Sequence, residues 1–439
     1  MVDYRVKDVS LAESGKKKID WAEAHMPVLV SLMRKYEKTR PLAGIKVTGC
    51  LHVTKETGVL VRAIKAAGAD RISWCGCNPL STQDDVAASL AANEGIMVYA
   101  SRGVTAKEYY DDIHSAMKLG PHVTIDDGAD LTVEMHKAMS EQQAKKRERE
   151  IEKERGYNNS GNANPVYGGT EETTTGVIRL KALNKAGKLL YPIIAVNDAE
   201  TKHDFDNVYG TGQSALDGII RATNVLLAGK NVVVAGYGHV GKGVARRASG
   251  MGANVIVTEV DSIAALKAKM DGYSVMQMVK AAEIGDVFIT ATGCKDVIVG
   301  KDIEKMKDGA ILANAGHFNV EISIDALERQ GSKKRINDSV EQYKLKSGNR
   351  VYLVGEGRLV NLAAAEGHPS EVMDMSFANQ LLSVIRLAKS GGTMKPGVYN
   401  IDAAQDREIA SGKLESMGVS IDSLSPAQQA YLEGFSEGT

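Results

Sequence analysis

Gly236, Gly238 and Gly241 fall in the run VVVAGYGHVGKGVARRASGMGANVIVTEVD, which begins at Val232. Few patterns restrict a fold so far. Four β-preferring residues lead into the glycines, a helical pattern follows, and a second β-rich run closes on Glu259. A tight turn, close approach of backbone to a pyrophosphate, and close helix–strand packing each exclude a side chain at one of the glycines. The helix start turns free N–H groups and a positive dipole end toward phosphate. Glu259 stands about 20 residues further on, where an acid bonds ribose hydroxyls and repels a 2′-phosphate. NAD is therefore expected rather than NADP, against the plainer reading of a structural turn without ligand.

The pattern comes late in a chain of 439 residues, which is too long for one hydrophobic core. Before it, IKVTGCLHV, DRISWCG, IMVYAS and HVTIDDG read as strands, separated by helical stretches such as ETGVLVRAIKAAG and TQDDVAASLAANEG. A second series follows from NVVVAGYG through NVIVTEV, DVFITATG and AILANAG to RVYLVGEG. Repeated β–α alternation predicts two doubly wound, mostly parallel α/β units of Rossmann-like type. Between the series, SEQQAKKREREIEKERG is charge-dense, with Lys146/Glu150 and Arg149/Glu152 at spacings that support a solvated helix. YNNSGNANPVYGG after it reads as a loop or linker.

Composition removes several classes of function. A net charge of −1 gives no case for nucleic-acid or membrane binding driven by overall charge. The N-terminal residues lack the apolar run of a signal peptide, and no stretch is apolar enough to span a bilayer, so a cytoplasmic protein is expected. Four cysteines, Cys50, Cys75, Cys77 and Cys294, make no disulfide framework and no zinc site at ligand spacing. They read as buried or partly buried free thiols, and no metal is expected.

Several stretches do not look structural. Asp126 and Asp127 end a strand, where doubly wound sheets bind ligands, though they could equally cap the next helix. GTEETTTGV stacks acids and threonines, suiting polar recognition or a surface turn. NDAETKHDFDNVYG places Lys202 four residues before Asp206, by itself an ordinary helix-surface pair. NAGHF and EGHPS each set a histidine at a strand end or turn, flanking the last strands of the second series.

Together, LHVTKET, CNPLSTQDD, IDDGADL, EETTTG, TKHDFDNVYG, AGYGHVGKG, ITATGC, NAGHF and EGRLVNLAAAEGHPSEVMDMSFANQ closely resemble the S-adenosylhomocysteine hydrolase family, in the same order, from about Leu11 to about Asn400. The resemblance implies a discontinuous substrate domain, 1–212 and 368–402, into which an NAD domain of 213–367 is inserted, with 403–439 as a short C-terminal segment. Hinges would lie near Tyr209–Gln213 and Glu366–Pro369. It implies reversible hydrolysis of S-adenosyl-L-homocysteine to adenosine and L-homocysteine, clearing a product of the methylation cycle. General-base help is worth about 10²–10⁴-fold, too little for an unactivated C4′–H. Transient oxidation of the ribose 3′-hydroxyl by one tightly held NAD per subunit would make that proton removable, before homocysteine leaves, water adds and the ribose is reduced again.

By the same resemblance, Lys202 is the base for the 3′-hydroxyl, and Asp206 and Glu172 bind the ribose hydroxyls. Asp127 and His52 manage the C4′ proton, the leaving sulfur and the attacking water. His317 stands near the 3′-oxygen, Asn197 supports the reacting centre, and Thr54, Glu56 and the turn carrying His368 read the adenine. Thr173, Thr174, Thr175, Asn207, His239, Val240, Asn314, Gly316 and Asn361 join the three glycines and Glu259 as NAD contacts. A homo-oligomer, tetrameric in the family, is implied.

The chain departs from the pattern at Thr211 and His239, where many relatives carry other residues. It ends in YLEGFSEGT, without the Lys/Tyr-bearing tail of longer members, so no site is assigned in trans. The segment Ser140–Gly169 has no assigned role. Rival readings are an S-inosyl-L-homocysteine hydrolase, which the Glu56 carboxylate would disfavour by repelling inosine's O6, an ordinary NAD-dependent dehydrogenase, and a regulatory NAD-binding relative without catalysis.

Overall fold

The computed structural model describes residues 3–153 and 166–435, the side chains of 142–153 excepted. Among the described residues, sixteen strands are arranged in two eight-stranded sheets. The first sheet takes β1 (Arg5–Val6), β2 (Lys46–Cys50), β3 (Arg71–Cys75), β4 (Met97–Ala100), β5 (Val123–Asp126), β6 (Gly168–Glu171) and β7 (Pro192–Ala195). The second takes β8 (Asn231–Ala235), β9 (Asn254–Thr258), β10 (Ser274–Val275), β11 (Val287–Thr290), β12 (Ala310–Asn314), β13 (Gly331–Asn337), β14 (Val340–Leu345) and β15 (Arg350–Val354). The chain then returns, and β16 (Gly397–Asn400) completes the first sheet.

The first sheet runs β1-β4-β3-β2-β5-β6-β7-β16 and is parallel throughout. Parallel strands need helical crossovers on both faces, so they are buried on both sides and read as near-continuous apolar runs. That explains why RISWC and VTID are buried at nearly every position. The order reverses between β2 and β5, and at such a switch point the strand ends leave a crevice. The second sheet, β10-β9-β8-β11-β12-β15-β14-β13, is parallel from β10 to β15 and antiparallel at β14 and β13.

One expectation is extended here and one changes. The second unit is mostly parallel, as expected, and its antiparallel edge was not anticipated: KKRIN in β13 is exposed at each of its residues, so charge rather than apolar alternation marks it. Gly168 and Gly169, read as part of a linker, are the first residues of β6. A Cβ on Gly169 would stand 2.4 Å from Thr124 Oγ1, so close strand packing, not flexibility, requires the glycine. The charge-dense segment continues the helix Asp130–Lys153, and its Lys146/Glu150 and Arg149/Glu152 pairs lie outside the described side chains. Cys50, Cys75 and Cys77 are buried free thiols, whereas Cys294 is exposed. Among the described residues no helix is long and apolar enough to cross a membrane.

Helix Ser370–Ser390 packs its apolar face into the first core, through Phe377, Leu381, Val384 and Ile385. Helix Ala403–Ser416 follows it there, with Ile409 buried and Lys413 bound to the buried Asp374 carboxylate at 2.9 Å.

Candidate active site

One cavity lies between the C-terminal ends of the two sheets, lined by residues of both. His52, Thr54, Glu56, Asp127, Glu172, Lys202, Asp206 and His368 come from the first unit and its margins, Gly238, His239, Val240, Gly316, His317 and Asn361 from the second. Thr173, Thr174, Thr175 and Asn207 also line it. Gly236, Gly241, Glu259, Asn197 and Asn314, also anticipated from the sequence, do not.

Asp126 and Asp127 divide the two roles that the sequence left open. Asp126 turns back to accept from the N–H of Thr132 at 2.7 Å and of Asp127 at 3.0 Å, capping the next helix. Asp127 faces the cavity between two imidazoles, His52 Nε2 at 3.4 Å and His317 Nδ1 at 3.5 Å. His317 reaches across from the loop after β12 because Gly128, at φ +103°, has no side chain there. A Cβ on it would stand 2.3 Å from His317 Nε2. His52 is held from behind by Ser81 Oγ at 2.7 Å and Cys77 Sγ at 3.2 Å. Burial pushes the His52 pKa down to about 4, against the pull of Asp127, so the ring is neutral at ordinary pH.

The second cluster centres on Lys202. Its Nζ lies 2.8 Å from Asn207 Oδ1, 3.4 Å from Asn197 Oδ1, 3.5 Å from Asp206 Oδ2 and 3.8 Å from Glu172 Oε1. Lys202 and Asp206 are not a surface pair: both are almost fully buried, where the helix Glu200–Lys202 passes into a π-helical turn, His203–Gly210. Such widened turns are frequent at functional sites. Burial pushes the lysine pKa down, but Asp206 and Glu172 outweigh it and hold it above the ordinary value. Burial would likewise raise Asp206, yet Lys202 and His368 hold it well below the usual carboxylate range. Burial lifts Glu172 to about 8, with Lys202 opposing and Asp206 reinforcing. The two carboxyl groups thus hold Lys202 as an ammonium in the resting cluster. His368, expected beside adenine, sets its Nδ1 2.5 Å from Asp206 Oδ1 and its Nε2 3.1 Å from Thr211 Oγ1.

Residues that went unnoticed in the sequence brace both clusters. Gln380 donates to Glu172 Oε2 at 2.5 Å and Ser376 to Asp206 Oδ2 at 3.0 Å. They lie four apart in MDMSFANQLL, on one face of helix Ser370–Ser390, and that spacing was the available signal. Ser370 donates to Glu56 Oε1 at 2.6 Å. Glu321 ties Thr292 and Gly293 together through three hydrogen bonds of 2.7–2.9 Å.

The glycine turn fits a dinucleotide. Gly236, at φ +97°, could carry a Cβ only against Ala291 O at 2.8 Å, and a Cβ on Gly241 would meet Gly236 O at 1.9 Å. Gly238 has open space where its Cβ would be, on the cavity side. The buried Asn361 Oδ1 lines the cavity without a hydrogen-bond partner among the described residues, as does Glu172 Oε1. Glu259 accepts from the N–H of Tyr237 at 2.7 Å, fixing the turn. Asn314 is spent on its own loop, with hydrogen bonds to Thr290, Gly316, Phe318 and Gly357.

Fold and cavity together define a Rossmann-like α/β protein of two sheets, with its site between them and the chain crossing from one sheet to the other and back. The S-adenosyl-L-homocysteine hydrolase family model matches residues 3–439, and the chain belongs to that family. It is 56% identical to the adenosylhomocysteinase of Pyrobaculum aerophilum, over 100% of both chains. It is 54% identical to that of Aeropyrum pernix, over 98% of each. A relative from Methanopyrus kandleri named S-inosyl-L-homocysteine hydrolase is 52% identical, over 100% of this chain and 98% of its own.

Proposed function

We propose that this chain reversibly hydrolyses S-adenosyl-L-homocysteine to adenosine and L-homocysteine, holding one NAD per subunit. The observation that carries the reading is one cavity shared by three features. They are Asp127 between two histidines, Lys202 between two carboxyl groups, and a glycine turn with room for a pyrophosphate. Bound at Gly236–Gly241 and the Thr173–Thr175 helix start, NAD supplies a reversible hydride acceptor for ribose C3′, which acidifies the C4′ proton.

The chain's own residues do the rest. Glu172 and Asp206 bind the ribose hydroxyls, and Lys202 takes the 3′-hydroxyl proton in its uncharged form. Because that form is scarce in the resting cluster, Asn197 and Asn207 matter as the neutral acceptors that hold Nζ in place when the charge is lost. Asp127 holds the C4′ proton, and neutral His52 exchanges it with the departing sulfur and the incoming water at C5′. His317 covers the pair from the second unit and excludes solvent. Glu56 and Thr54 accept from and orient the adenine. The reading also divides the chain as 1–212 with 368–402, and 213–367, with two hinges between.

One assay tests it. Purified protein with no added NAD is given S-adenosyl- or S-inosyl-L-homocysteine while free thiol and NADH are followed. Thiol release from the adenosyl compound without net NADH is expected. Thiol release from the inosyl compound alone, or NADH accumulating with turnover, overturns the reading.

A further inference from the structure

Beside the cavity's proton-handling groups, a second set of ligand-type side chains converges from distant parts of the chain. His203 and Asp204 begin the π-helical turn that follows Lys202, and His239 begins the helix after the glycine turn. Asp204 Oδ1 lies 3.5 Å from His203 Nε2 and 3.4 Å from His239 Nε2. One ligand atom from each of the three lies within 4.8 Å of the others. Donors at about 2.1 Å from a tetrahedral ion stand about 3.4 Å from one another. The Asp204–histidine separations match that edge. The two imidazoles lie with centroids 4.5 Å apart, their planes tilted by 53°.

We propose that His203, Asp204 and His239 form a binding site for a divalent cation of the zinc class, with water as fourth ligand. Two imidazoles and one carboxylate suit zinc, cobalt or nickel rather than magnesium or calcium, which take oxygen. The half-exposed side chains of Asp204 and His239 leave the fourth position open to solvent. Bound there, the ion ties the start of the glycine-turn helix to the turn that carries Asp206. Sequence spacing gives no hint of it, because the three ligands come from two separate segments.

The test is a cobalt(II) titration of chelator-treated holoenzyme, reading visible d–d absorption and cobalt per chain after desalting. His203→Asn, Asp204→Asn and His239→Asn are expected each to bind one cobalt fewer than the parent chain and to lose its visible bands. His52→Asn is included because His52, Asp127 and His317 also lie close enough to share an ion; it should keep the bands. Added zinc should raise the melting temperature of the parent and not of His239→Asn. Bands and stoichiometry unchanged in the first three variants, or lost only in His52→Asn, overturn the proposal. Asp204 is exposed, so its variant answers the question even if a histidine variant folds poorly.

Discussion

At the scale of single residues, the two clusters differ in what burial does to them. Around Lys202 it is overruled by charge, and at His52 it prevails. Lys202→Ala should leave NAD bound but abolish its reduction by adenosine, lowering turnover by about 10²–10⁴-fold or more. NADH forming at the normal rate in that variant would falsify the base assignment. Because the lysine must be uncharged to act and its pKa is raised, turnover should climb as pH rises toward the alkaline range. His52, neutral down to about pH 4, should contribute no inflection near 6.5. Imidazole NMR of His52 through pH 4–8 checks this directly, and a titration near the ordinary value would show the ring to be wet. Residue roles were the least legible part of the sequence. Lys202 and Asp206 carry the spacing of a surface ion pair, and only the π-helical turn, invisible to pattern reading, puts both inside.

At the scale of elements, local signals read well where they are self-contained. The glycine turn, the strand–helix alternation and the acids at the end of β5 all follow from neighbours in sequence. What failed depends on distant partners: β6 was hidden in a Gly/Asn-rich stretch, and β13 earns its place only by pairing with β14. Beneath the cavity, Asp126 and Glu171 pair in register at the ends of β5 and β6. Glu171 Oε1 accepts from the N–H of Gly128 at 2.8 Å and of Thr173 at 3.0 Å, so one carboxyl sets both the Asp127 loop and the threonine turn. Burial lifts Asp126 from 3.8 to about 7, so between those values the folded chain holds a proton that the unfolded chain gives up. Its contribution to stability is complete below about pH 4 and is lost as pH rises through 7. Asp126→Asn should flatten that loss in urea titrations run from pH 4 to 8; an unchanged slope would place the proton elsewhere. Helix packing gives a second prediction. A Cβ on Gly243 would meet Val208 O at 2.0 Å, so Gly243→Ala should push the glycine-turn helix off the π-helical turn. A loss of about 1–3 kcal/mol and a fall in bound NAD are expected, read by thermal melting and by cofactor released on denaturation.

At the scale of the molecule, particular polar contacts join the units away from the cavity. Arg102 donates to the carbonyls of Leu362 at 3.3 Å and Ala363 at 2.5 Å, and Lys55 meets Glu366 at 3.3 Å. Removing the Arg102 bonds by Arg102→Ala should speed exchange of bound NAD roughly fivefold or more, measured with a fluorescent analogue. Equal exchange rates would mean that the units are held by other contacts. The return of the chain to the first sheet has a further consequence, for how the protein is made. Synthesis proceeds from the N-terminus, and domains generally fold as units as they emerge. The edge of β7 and the far wall of the cavity must therefore wait for the whole second unit to be translated. Only then do helix Ser370–Ser390, bringing Ser376 and Gln380, and β16 arrive. A nascent chain has its glycine turn complete before the cavity beside it has a fourth side, so on the ribosome the turn is finished well before the site it lines.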